Sequence, residues 1–242
     1  MNGWFLLGLK AEMVLGAYLV LRNRSVRLAA ALALVVAVLA LTRHLGNTTF
    51  GPPQNTVFLI AGTLAALSGA RLLAPGPALA ASRRVAAVWW LIPFGRLSGA
   101  MVVVVPVSIA AALSLGLASA GVHWATLGVT AYSTATAALV LFLSPVVGAS
   151  AASAIGVATV WVGMVHTDSM NAIHGQWPFV RIPAGVLSRV LPLPWRAQMV
   201  VELHSVSALL LFLGWTVVGV AAAGLVAGTF RSFGLLRSRG EP

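Results

Sequence analysis

The chain has 242 residues, of which 60% are hydrophobic and 8% charged, with a formal net charge of +11 and no cysteine. A soluble domain carries roughly 25% charged residues, so most of this surface faces something other than water, and a bilayer is the matching solvent. The basic residues stand at the ends of long apolar runs, which excludes nucleic acid as their partner. The lack of cysteine excludes disulfides and thiolate metal sites.

The first 24 residues read MNGWFLLGLKAEMVLGAYLVLRNR. Lys10 and Glu12 interrupt the apolar run, so it does not read as a cleaved signal. Each would cost roughly 2.5–3.5 kcal/mol at the centre of a spanning helix. The segment 2–22 is therefore expected to lie as a helix in or near the inner interface, anchored by Trp4, with Arg22 and Arg24 in water.

Six spanning segments follow, near 26–42, 55–74, 97–121, 124–143, 147–165 and 205–230. Each is close to the roughly 20 apolar residues that a bilayer core requires. Pro106 predicts a kink in the third. No charge occurs between 124 and 164, a run too long for one crossing. At 1.5 Å per residue it would extend about 60 Å. It must turn back at Ser144-Pro145-Val146-Val147-Gly148. In the last span Gly214 and Gly228 are expected to be packing contacts. The expected fold is all-α and polytopic, with 1–242 forming one transmembrane domain.

Two connections are long. The segment 75–96 opens with Pro75-Gly76-Pro77 and holds SRRVAAVWWLIPFGR. A helix over 78–90, ended by Pro93 and Gly95, would lie on the membrane surface, with Trp89 and Trp90 at headgroup depth. The segment 166–204 contains two short amphipathic pieces, PAGVLSRVL and PWRAQMVVELH, separated by Leu191-Pro192-Leu193-Pro194. Such pieces re-enter a membrane only where their backbone is buried in protein or faces water.

Charge sets the orientation. With both termini cytoplasmic, Lys10, Arg22, Arg24, Arg27, Arg71, Arg83, Arg84, Arg96, Arg231, Arg237 and Arg239 are inside, and Arg43, Arg181, Arg189 and Arg196 outside. Eleven against four satisfies the positive-inside rule.

Ionisable groups are few. The acids are Glu12, Asp168, Glu202 and Glu241, and every histidine falls at an outer end or in an outer loop. His166, Asp168 and His174 have the spacing of an external metal site, but they read instead as a solvated polar loop. Glu202 and His204 stand two apart on a helix and do not face each other. No Walker-type loop, GxSxG or HExxH occurs. No catalytic, cofactor-binding or metal-binding residue is assigned. Spans without charges offer no ionisable group through which to couple to ions, which points to an external source of energy.

The order of features resembles the permease subunit of the type-2 family of ATP-binding-cassette transporters over essentially the whole chain. The wording that carries this is Arg71-Leu72-Leu73-Ala74-Pro75-Gly76, then Trp90-Leu91-Ile92-Pro93-Phe94-Gly95-Arg96-Leu97-Ser98-Gly99, and the outer LSRVLPLPWRAQMVVEL. The resemblance implies an interface helix at 2–22 and a coupling helix at 78–90. It implies contacts of Arg83, Arg84, Trp89, Trp90 and Arg96 with a separate ATPase that holds ATP and magnesium. It also implies a second permease, identical or not, while the uncharged spans favour an exported amphipathic or lipid-like cargo over a small ion and the Ala-, Val- and Arg-rich wording points to a bacterial inner membrane. Between residues 13 and 167 there is no acid, so that docking surface would be basic and aromatic. Contact of Arg83 and Arg84 with anionic lipid fits the same residues. The alternatives are a non-transporting assembly or scaffold subunit of a larger membrane complex, and a membrane enzyme built on His166, Asp168 and His174.

Overall fold

A computed structural model of the protein describes residues 3–45, 53–73, 90–114, 121–165 and 190–238. These residues form eight α-helices and no strand. They are α1 (Gly3–Arg22), α2 (Arg24–Leu45), α3 (Pro53–Leu72), α4 (Leu91–Ser114), α5 (Val122–Val147), α6 (Ala149–Val165), α7 (Pro194–Leu203) and α8 (Val206–Ser238). Among the described residues three helical stretches are long and apolar enough to cross a membrane: Leu91–Leu113, Val122–Val147 and Val206–Val226. Thr56–Leu72 and Ala149–Gly163 are apolar but shorter.

Local chemistry explains most of the breaks. The uncharged run divides between α5 and α6 at Gly148, whose φ of 87° and ψ of 153° lie in a region essentially reserved for glycine. Pro145 stays inside α5, and the Gly148 N–H donates to the Ser144 carbonyl at 2.9 Å. Pro194 opens α7 in its first turn, where a missing N–H costs nothing. Asn23 alone separates α1 from α2. Its side-chain oxygen accepts the Ser25 N–H at 3.0 Å, as an N-cap does.

Two boundaries differ from expectation. The helix α4 begins at Leu91 rather than 97, so Pro93 does not end a preceding helix but lies in the first turn of this one, where proline is tolerated. It ends at Ser114 and runs on through Pro106. The last helix extends past 230, to Ser238.

Helix directions follow from which residues meet. Phe58 packs edge-on to Tyr132, and the Ser144 hydroxyl donates to the Ala70 carbonyl, so α3 and α5 run parallel. Tyr132 meets Phe212 and Gly219 meets Ala138, so α8 also runs parallel to α5. Gly156 fits against Val140 and Ala66 while Gly62 faces Val160, so α6 opposes both α3 and α5. The start of α4 shares an apolar cluster with the end of α3, through Leu97, Ala100, Leu72 and Leu73. Its Ala112 joins a second cluster with Val57 and Phe58 at the start of α3. Hence α4 opposes α3, and α3, α4, α5, α6 and α8 alternate in direction along the chain.

The helix α5 is the centre. Two-thirds of its apolar window is buried, against 28% for α8. Small residues allow this closeness: Gly69 of α3 lies on the Ala137 carbonyl, and Gly219 of α8 on that of Ala138. At the end where α5 begins, Gly128 receives Val201 and Gly163 receives Pro194. The short helix α7 is thereby wedged in the bundle, with Ala197, Val200 and Val201 in its core.

Candidate functional site

The distinctive site is a buried ion pair at the base of the 74–89 segment. It begins with glycine. Gly95 and Gly99 stand four apart on one face of α4. A Cβ at Gly95 would come within 2.6 Å of Glu12 Cβ. One at Gly99 would collide with the Met13 carbonyl oxygen, and one at Gly16 of α1 with that of Arg96. The backbones of α1 and α4 therefore nearly touch. The pairs 9 with 95 and 13 with 99 advance together, so the two helices run parallel.

Into this contact the chain places two opposite charges. Arg96 Nε donates to Glu12 Oε2 at 2.7 Å. Arg96 Nη1 donates to the Leu72 carbonyl at 2.6 Å. Leu72 is the last residue of α3, and its carbonyl has no acceptor role within that helix. The negative end of the helix dipole also favours a cation there. Both side chains are buried, Arg96 being 1% exposed. One guanidinium thus ties together α1, the end of α3 and the start of α4. Since α3 leads into the 74–89 segment and α4 leads out of it, both ends of that segment are fastened to one point.

This placement corrects the expectations for two residues. Arg96 does not face outward from a loop. It is turned inward, because Glu12 and Leu72 satisfy it there. Nor is Glu12 a solitary charge at an interface, since it has a partner 84 residues away. Trp90 is half-buried at the foot of α4 and packs edge-on to Phe94, ring centroids 5.9 Å apart. Arg83, Arg84 and Trp89 lie outside the described residues. The sequence held two pointers to the missed site, an acid stranded in an apolar helix and a glycine pair four apart.

At the opposite end the aromatic residues act as fasteners. His204 takes a left-handed conformation at the end of α7 and stacks on Trp124 of α5, centroids 4.6 Å apart. The Arg196 guanidinium lies 4.5 Å over the Trp195 ring, and the Trp215 indole donates to the Val190 carbonyl. His166, Asp168 and His174 lie outside the described residues. Among the described residues no three of His, Cys, Asp and Glu gather into a metal site.

Among the described residues the fold and the ion pair define an all-helical protein, with helices fit to cross a membrane and one charged joint in its packed interior. Comparison with known protein families, with curated proteins and with solved structures finds no match.

Proposed function

We propose that the protein is the membrane-spanning permease subunit of an ATP-binding-cassette transporter, exporting an amphipathic or lipid-like cargo with ATP hydrolysed by a separate subunit. The observation that carries this reading is the joint formed by Glu12, Arg96 and the Leu72 carbonyl. A push on the 74–89 segment enters the bundle at a point that grips three helices at once. The segment itself offers Arg83, Arg84 and Trp89 as contacts, and Trp90 closes its far end. Among the described residues the interior supplies no second ion pair, and the reading accordingly puts the motor in a separate subunit.

Two further observations support it. Five helices alternate in direction, as a chain crossing six times requires, with α2 providing the first crossing. The exposed cations Lys10 and Arg71 belong to the end where α3 finishes and α4 starts, and Asn23, flanked by the exposed Arg22 and Arg24, meets Leu67 five residues inside it. That end is then cytoplasmic, together with both termini, in a bacterial inner membrane. A second permease completes the path, and cargo passes between the two.

The test is purification of the tagged intact protein from its own host in mild detergent. The reading expects a Walker-A ATPase to copurify, and Arg83→Glu/Arg84→Glu to release it while the permease still folds. Intact protein that brings down no ATPase, or an association indifferent to that double substitution, removes the proposal and leaves the scaffold reading standing.

A further inference from the structure

We infer that the joint between α1 and α2 is a surface for anionic phospholipid headgroups, with Arg22, Arg24 and Arg27 as its contacts. This does not depend on the transport reading.

The joint is fixed in place. Asn23 interrupts the helix for one residue, its amide donates to the Leu67 carbonyl of α3 at 3.4 Å, and the Arg27 N–H returns to the Asn23 carbonyl at 3.0 Å. Leu67 lies five residues before the end of α3, about 7.5 Å inside it at 1.5 Å per residue, a distance that an extended arginine side chain covers. Around it Arg22, Arg24 and Arg27 are all exposed, as is Arg71. Arg22 lies against Tyr18, with Nη1 3.4 Å from its hydroxyl and the guanidinium carbon 6.0 Å from the ring centroid.

Among the described residues these charges have no internal counterpart. The one acid in the described residues at this end is Glu12, and it is buried against Arg96. The chain holds no other acid from 13 to 167, so neither α2, α3 nor the 74–89 segment supplies one. Clustered like charges repel, and that repulsion falls when an outside anion sits among them.

The surroundings identify the anion. Val14, Tyr18, Leu21, Leu28 and Leu32 are exposed around the arginines. An apolar border with cations set into it matches the junction between acyl chains and phosphates, where arginine stems lie in the apolar layer and the guanidinium reaches the headgroup. A guanidinium also fits a phosphate with two parallel N–H donors. Soluble polyanions would leave the apolar border in water. Near a membrane surface each basic side chain contributes roughly fivefold in affinity for anionic lipid.

The experiment uses the full chain purified in a neutral detergent. Native mass spectrometry and thermal melting are read with added phosphatidylglycerol, phosphatidylcholine or inorganic phosphate. Phosphatidylglycerol should form more persistent adducts and raise the melting temperature more than phosphatidylcholine, and high salt should weaken the difference. Arg22→Gln/Arg24→Gln/Arg27→Gln should abolish most of that preference. The corresponding triple lysine variant should keep much of it, and Arg196→Gln, at the opposite end, all of it. If the triple glutamine variant does not fold, the three single variants are read by their bound fraction of phosphatidylglycerol, and each should show a partial loss. Equal response to the two lipids overturns the inference, as does an unchanged preference in the glutamine variants or equal stabilisation by free phosphate.

Discussion

Glu12 and Arg96 show how two unfavourable residues become one acceptable pair. Alone, either would be a charge in an apolar interior. Together they sit at 2.7 Å, with a helix-end carbonyl taking a further donor. Burying such a pair is often neutral for stability, but removing one partner strands the other at about 3–5 kcal/mol. Glu12→Ala should therefore lower the melting temperature of the purified protein sharply, and Glu12→Leu/Arg96→Met should recover most of it. A neutral Glu12→Ala would show that the pair is not formed. The sequence made Glu12 conspicuous but not its partner. Lys10 and Glu12 look equivalent in a linear reading, yet they lie two apart on α1 and point apart. Lys10 is exposed and Glu12 buried. No local pattern links position 12 to position 96; only the approach of α1 to α4 does.

At the scale of the helix, what was readable was what is local. The turn at Gly148 and the start of α7 at Pro194 follow from residues within a few positions of the break. The start of α4 was misplaced because Pro93 has two meanings, a stop or a first-turn residue, and the choice depends on packing against α1. The glycines need the same distinction. Gly214 was expected to be a packing contact, but a Cβ there meets nothing within 4 Å. Gly99 would drive a Cβ into the Met13 carbonyl. Gly99→Ala should thus cost about 1–3 kcal/mol through overpacking. Gly214→Ala should be neutral, or stabilising by up to about 1 kcal/mol through better helix propensity. Equal melting shifts for the two would contradict the close approach of α1 to α4. Gly148→Ala tests backbone conformation rather than space, since nothing surrounds that position either. It should cost about 1–3 kcal/mol through its φ alone, seen as a lower melting temperature.

Over the whole molecule, two chemically different ends emerge from helices that alternate in direction. One end has exposed Lys10 and Arg71, with the arginines around Asn23 set further inside it; the other has exposed His123, Glu202 and His204 with half-buried tryptophans at 124, 195 and 215. Composition announced a membrane solvent but not which side chains share an end, because that depends on how many times the chain reverses. If the alternation reflects passage through a bilayer, Arg71 and Glu202 are on opposite sides of it. The absence of native cysteine makes this directly measurable, since any introduced thiol is the chain's only one. Arg71→Cys and Glu202→Cys both replace exposed side chains. In intact cells a membrane-impermeant maleimide should label the thiol at 202 and not the one at 71, and opening the membrane should make 71 reactive. Labelling of both positions from outside would break the alternation itself, whereas reactivity at 71 alone would keep the alternation and invert the charge argument for orientation.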